Sequence, residues 1–300
     1  MGRAAVIVRA ARPPFLLLTP VCVLLGASQT LVGGAPFNIA LFLTVLAGAL
    51  CAHASVNLLN EFFDYRSGLD EQTQRTPFSG GSGALPAHPA AAPAVLIAGC
   101  IALAVVLLIG WVLIRNSGAE LAPLGIAGIL VVLIYTPVLN RRPLLCLLAP
   151  GFVFGVLMVI GTHYVLAGGY EDAPWLAAAV PFFLTNNLLL LNQYPDLAAD
   201  AAAGRRHFPL AFGLPAANSV YGVFVLLAAA AIVAGVGAGV FPPAALIALL
   251  PLALALYALS GAVKYGRDIG GQRRYLAANV AVALLAPLLL AVTLIVGDMQ

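Results

Sequence analysis

Charge is what this chain has least of. Only 8% of its 300 residues are Asp, Glu, Lys or Arg, while 62% are hydrophobic. No water-soluble domain hides that much apolar surface, so composition excludes one. Cysteine is sparse too. Cys22, Cys51, Cys100 and Cys146 lie far apart, inside or beside apolar runs. That spacing excludes a disulfide framework or a Cys-based zinc site, and the four read as small buried hydrophobes. No Gly-Lys-Ser/Thr is present, which excludes a nucleotide P-loop. The net charge is only +3, and no nucleic-acid partner is expected.

Long apolar runs are abundant. A membrane span needs about 20 such residues, and nine runs qualify: Pro14–Val32, Phe37–Leu59, Ala91–Ile114, Leu121–Leu139, Leu144–Leu166, Trp175–Leu191, Ala216–Val240, Ala244–Val263 and Leu276–Val296. All should be helices, because a backbone facing lipid must satisfy its own hydrogen bonds. The expected architecture is an all-α membrane protein, one polytopic domain over residues 1–300 with nine transmembrane helices. The first run has the basic flank of a signal peptide, but it is too long and lacks a cleavage site. Alternate threading puts all the arginines except Arg115 on one side. By the positive-inside rule that side is the cytoplasm, in a bacterial-type inner membrane. A tight turn at Gly33-Gly-Ala-Pro-Phe-Asn38 should join the first two spans.

The polar residues are concentrated. Six of the eleven acidic residues, Glu61, Asp64, Asp70, Glu71, Asp196 and Asp200, lie in two windows. Residues four apart share a helix face, so Asn60 and Asp64 project together, with His53 and Asn57 behind them. Asn192 and Asp196 repeat that spacing, followed by Asp200, Gly204, Arg205 and Arg206. The two loops, residues 61–90 and 193–214, fall on the cytoplasmic side with four spans between them, which implies two repeated halves facing one cavity. Clustered carboxylates repel, so a cation is expected among them. Mg²⁺ fits, since it takes carboxylates, phosphate oxygens and water. The ligands expected are Asp64, Asp70, Asp196, Asp200 and Asn60. Gly80-Gly81-Ser82-Gly83 is suited to an anion nest. Arg75, Arg141, Arg142, Arg205 and Arg206, with Ser82, Asn60 and Asn192, are the expected diphosphate contacts. Tyr135 beside the Arg141-Arg142 pair reads equally as an aromatic lid over a phosphate clamp or as a membrane-belt aromatic with topology-setting charges. The glycines Gly151, Gly155 and Gly161 read as helix-packing positions, and His163 as a buried hydrogen-bonding residue rather than a catalytic one. The last three spans read as bundle walls without polar features.

These motifs resemble the UbiA superfamily of membrane prenyltransferases. Asn60-Glu61-Phe62-Phe63-Asp64-Tyr65 with Gly68 and Asp70 is similar to the first Asp-rich motif of its MenA-like branch, although Glu61 stands where Asp is usual. Thr76-Pro77 to Gly83, Tyr135-Thr136, Asn140-Arg141-Arg142-Pro143 and Gly161-Thr162 with Tyr164 are also similar. Asn192, Asp196, Asp200, Gly204 and Arg205 resemble the second motif. The resemblance implies a nine-span bundle around a central cavity. It implies Mg²⁺-dependent transfer of an isoprenoid chain from an allylic polyprenyl diphosphate to an aromatic quinone precursor, as in menaquinone biosynthesis. The catalytic residues it implies are Asp64, Asp196, Asp200 and Tyr135. Tyr135, Phe62 or Tyr65 would face the allylic cation, worth about 0.5–2 kcal/mol each, and a second-motif carboxylate would accept the acceptor's proton. Other acceptors in this superfamily are lipids and porphyrins. The rival from another class is a secondary transporter, whose acids tend to sit at the bilayer midplane within broken helices. Here they sit at helix ends beside arginines.

Overall fold

The computed structural model describes residues 2–32, 37–73 and 75–298. Among them every regular element is helical. Eight helices are long and apolar enough to cross a membrane: α1 (Pro13–Thr30), α2 (Ile39–Arg66), α3 (Pro89–Ser117), α5 (Pro143–Ala167), α6 (Ala173–Asn192), α7 (Phe208–Gly237), α8 (Pro243–Gly271) and α9 (Arg273–Gly297). Between α3 and α5 lies α4 (Ala119–Ile134), which is apolar but shorter. Its expected extension to Leu139 fails at Tyr135-Thr136-Pro137, because proline has no N–H to donate and disfavours helix in the residue before it. The turn expected at Gly33-Gly-Ala-Pro36 lies outside the described residues. Asn38, just after it, caps α2 by accepting from Ala40 N and Leu41 N at 3.0 and 3.1 Å.

Helices α5 and α6 are mostly buried, whereas few residues of α2 and α3 are fully buried. Their uncovered residues face the cavity on one side and the bundle's outer surface on the other. Tight packing follows the glycines of α5. A Cβ on Gly151 or Gly155 would stand 2.2 or 2.6 Å from backbone oxygens of α6, so only glycine permits this approach. Gly161 has no such neighbour. Its would-be Cβ meets only Leu124, at 4.0 Å. Between these glycines α5 widens to a π-helical stretch, Phe152–Ile160, which turns Val153, Phe154, Leu157 and Met158 into a cavity.

Two expectations about the last third need correction. The seventh helix starts at Phe208 rather than Ala216 and bends at Gly213, where φ is 82° and ψ 166°. The last three spans are also not featureless. Asn279 is fully buried, accepts from Tyr221 Oη at 2.8 Å and donates to the carbonyls of Asn187 and Leu188. Asn187 Nδ2 donates to the Tyr221 carbonyl at 2.9 Å. This network ties α6, α7 and α9 together, each bond worth about 1 kcal/mol inside a membrane protein.

Candidate functional site

The two acidic windows meet. Arg205, between α6 and α7, donates through Nη2 to Asp64 Oδ1 at the end of α2 and through Nη1 to Asp200 Oδ1 at 3.0 Å. Gly80 N of the glycine loop donates to Asp196 Oδ2 at 2.9 Å. Both groups border a cavity of about 420 Å³, within the ordinary range for a small-molecule site. Its mouth is polar: Asn60, Asp64, Asp70, Tyr135, Asn140, Asn192, Asp196, Asp200, Arg205 and His207 line it. Its body is apolar, between α2, α3, α4 and α5. The stripe His53, Asn57, Asn60 and Asp64 lines one wall, as helical spacing dictates. His53 Nδ1 pairs with Thr19 Oγ1 at 2.8 Å.

Oxygen atoms at the mouth divide into engaged and free. Asp200 is engaged on both sides, by Arg205 and by His207 Nε2 at 2.8 Å. Asn60 Oδ1 accepts from Thr136 Oγ1 at 3.0 Å. Asp70 Oδ2, Asn192 Oδ1 and Asp196 Oδ1 are buried without a partner. Such orphaned acceptors are costly unless a cation or donor reaches them. Among the described residues no three acidic, His or Cys side chains form a ready cage for an ion. Burial pushes the Asp70 carboxyl up to about 7, helped by the charges of Glu61 and Asp64. Burial, then Asp200, pushes Asp196 up to about 7. Arg205 is held above its ordinary value, because Asp64 and Asp200 outweigh the effect of its burial.

Several expected contacts lie elsewhere. Arg141, Arg142 and Arg206 are exposed and do not line the cavity. The 3₁₀ turn Leu139–Arg141 turns Asn140 inward instead. Arg75 is exposed, donates to the Asp70 carbonyl at 3.1 Å and lies over Gly83. Ser82 has both its donors on Glu61, through N at 3.1 Å and through Oγ, so the glycine loop is organised around a carboxylate. Phe62 and Tyr65 pack against the leader helix Arg3–Ala10 and the start of α3, away from the cavity. Tyr135 is the aromatic residue of the three that lines it. His163 pairs with Thr30 at 3.3 Å and Glu171 at 3.3 Å, outside the cavity lining.

Three residues went unassigned in the sequence. Glu61 is fully buried and paired with Arg12 at 3.2 Å. Arg12 reads as a topology-setting charge, yet it lines the cavity and adopts a left-handed conformation, φ 54° and ψ 63°. That backbone state is costly for a non-glycine residue and tends to mark functional positions. The αR-disfavouring Pro13 after it is the one local signal. His207 supports Asp200, and its signal is adjacency to Arg205 alone.

Comparison with known proteins bears on the family and the fold. A digeranylgeranylglyceryl phosphate synthase of Halobacterium salinarum is 30% identical over 271 residues, covering 89% of this chain and 90% of the relative. The apo structure of a UbiA homolog from Aeropyrum pernix superposes with a TM-score of 0.69 at 20% identity, covering 94% of this chain and 98% of that one. A UbiA homolog from Archaeoglobus fulgidus, bound to GPP and Mg²⁺, gives 0.64 at 15% identity over 97% and 99%. The model of the UbiA prenyltransferase family matches residues 19–284. With its acidic motifs joined at one cavity mouth, the chain belongs to the UbiA prenyltransferase family.

Proposed function

We propose that this prenyltransferase moves an isoprenoid chain from an allylic polyprenyl diphosphate to an electron-rich aromatic ring of the quinone-precursor class, as in the MenA-like branch. The observation that carries the choice of acceptor is the charge inventory of the cavity. Arg12 and Arg205 are the cations lining it among the described residues, and both are already paired with carboxylates. One diphosphate with its metal suits that inventory. A second phosphate, brought by a glyceryl phosphate acceptor, has no further cation to meet. The second reading is that lipid acceptor, favoured by the name of the Halobacterium relative. The deciding experiment gives the purified protein labelled allylic diphosphates, Mg²⁺, and either aromatic or glyceryl phosphate acceptors. Product on glyceryl phosphate alone would overturn the aromatic reading.

Mg²⁺ is the cofactor. The residues fit it: Asp70 Oδ2, Asn192 Oδ1 and Asp196 Oδ1 are buried acceptors waiting for a partner, and Asp64 lies beside them. Mg²⁺ usually shares one or two carboxylates with substrate phosphates, so a few such acceptors suffice. When bound, it supplies positive charge to the diphosphate as the allylic C–O bond breaks. Arg205 adds charge from the protein, Tyr135 faces the developing cation, and the apolar body keeps water from it. A second-motif carboxylate takes the proton that the acceptor releases.

A pH dependence follows from the raised carboxyls. With both near 7, the cation-free site is largely protonated at pH 6 and ionised at pH 8. Mg²⁺ binds the ionised form, so binding releases protons and affinity rises with pH. Between pH 6 and 8 the rise should be about tenfold per carboxyl. Calorimetric titration in buffers of different ionisation enthalpy measures both. An affinity flat over this range would refute Asp70 and Asp196 as ligands.

We infer a topology from the same reading. Tyr164 Oη donates to the Ser117 carbonyl near the start of α4, and Thr136 just past its end meets Asn60. Helix α4 therefore runs between opposite ends of the bundle. Counting it as a crossing would give nine and put both acidic motifs on one side, and the arginine bias supports the cytoplasm for that side. Cysteines introduced at exposed Ala202 and Glu171 should label from opposite sides of the membrane. Labelling from the same side rules this topology out.

A further inference from the structure

Two of the glycines that line the cavity body are not explained by packing. Glycine is the poorest helix former apart from proline, and membrane helices usually use it for close contact. Gly26 does so, since a Cβ there would stand 2.4 Å from the Val159 carbonyl oxygen. Gly110 of α3 and Gly125 of α4 differ. A Cβ on either would meet nothing within 4 Å. Neither has a positive φ, so backbone conformation does not require glycine. Both line the cavity. Two helices thus leave room in one chamber, and that chamber ends in the buried, unpartnered oxygens of Asp70 and Asn192.

The depth of each position follows from helix rise. Gly125 stands ten residues before Tyr135 at the mouth, roughly 15 Å along α4. Ile109 lies against Gly48, twelve residues before Asn60 on α2, and Asn60 meets Thr136 beside Tyr135, so Gly110 stands roughly 18 Å from that same level. An isoprene unit adds four carbon–carbon bonds of about 1.5 Å, so an extended chain advances at most about 5 Å per unit. The third unit then reaches Gly125 and the fourth reaches Gly110. Beyond them Leu113, Leu121 and Val165, all buried, close the far end.

We propose that Gly110 and Gly125 set the longest isoprenoid chain this enzyme accepts, by leaving open the part of the chamber that the terminal units fill. This rests on the allylic diphosphate reading above but not on the identity of the acceptor. The test is competition binding of diphosphates bearing one to six isoprene units, with Mg²⁺, to wild type, Gly110→Leu and Gly125→Leu. Turnover is measured in parallel. Chains of one or two units should bind all three proteins within about twofold. Gly125→Leu should lose about tenfold or more for chains of three units and longer, and Gly110→Leu only from about four units, in line with the cost of excluding a few methylenes. Gly110→Ala and Gly125→Ala, which fill less space, should show smaller losses in the same order. Equal losses at every length, or none, would overturn the proposal while leaving the diphosphate reading intact. Failure of wild type to bind any member of the series would overturn both.

Discussion

Asp196→Asn lowers turnover by roughly 1,000-fold or more while leaving the protein at least as stable as wild type when Mg²⁺ is absent. The two halves of this expected result have one cause. Asp196 Oδ2 already accepts from Gly80 N, and the amide oxygen of Asn can keep that bond. Its Oδ1 has no protein partner, and an amide nitrogen there cannot ligate a cation. The substitution would therefore remove the proposed metal contact without releasing the glycine loop. Loss of a charge that stabilises the departing diphosphate falls among the largest single catalytic losses. Stability moves the other way. Burial and the neighbouring Asp200 raise the Asp196 carboxyl, so its charged form is disfavoured in the fold above pH 7. A neutral side chain removes that penalty. Asp64→Asn should lose activity to a similar degree but lower the melting temperature, because Arg205 loses one of its two carboxylate partners. Turnover against Mg²⁺ and a thermal melt without it measure both effects. Asp196→Asn activity within tenfold of wild type at low Mg²⁺ would remove that residue from the metal site.

The sequence displayed some of this site and hid the rest, for physical reasons. Hydropathy located the long helices, because each must carry its own apolar surface through lipid. It overstated α4, where Pro137 stops the helix short of a full run. Helical spacing put His53, Asn57, Asn60 and Asp64 on one wall. It could not say that Asp64 would be buried, 6% exposed, rather than at the water boundary. That depends on Arg205, 141 residues away. Charge counting misled most. Arg141 and Arg142 look like a phosphate clamp, but a 3₁₀ turn points their neighbour inward instead. Arg12 looks like a topology signal, yet it holds Glu61, which in turn holds Ser82. Glu61, the departure from the usual Asp, spends its carboxylate on the loop and on Arg12. Contacts of this kind join residues far apart in the chain, and no local period encodes them.

Arg205 is the side chain whose loss should separate a diphosphate-binding enzyme from every other reading of this bundle. It is the cation that joins the two acidic motifs, reaching Asp64 with one nitrogen and Asp200 with another. Its charge is secure at any working pH, because both carboxylates hold its ionisation above the ordinary range. A cation at this mouth acts on the substrate in two ways. It binds the ground-state diphosphate, and it stabilises the added negative charge as the C–O bond breaks. Only the second raises the catalytic constant. Arg205→Ala should therefore lower kcat by about 30- to 1,000-fold, the range for removing a comparable electrostatic group. It should raise KM for the allylic diphosphate and leave KM for the acceptor nearly unchanged. Arg205→Lys keeps the charge but loses the planar fork that spans two carboxylates. It should recover most of the substrate affinity and only part of kcat. Arg141→Ala and Arg206→Ala are the controls. Both side chains are exposed and away from the cavity, so both variants should stay within about twofold of wild type, as surface charges do. Were Arg205 only a structural tie, its loss would lower the melting temperature and shift both KM values together, and the lysine would not restore diphosphate affinity selectively. A transporter would release no diphosphate from an allylic substrate with arginine, lysine or alanine at this position.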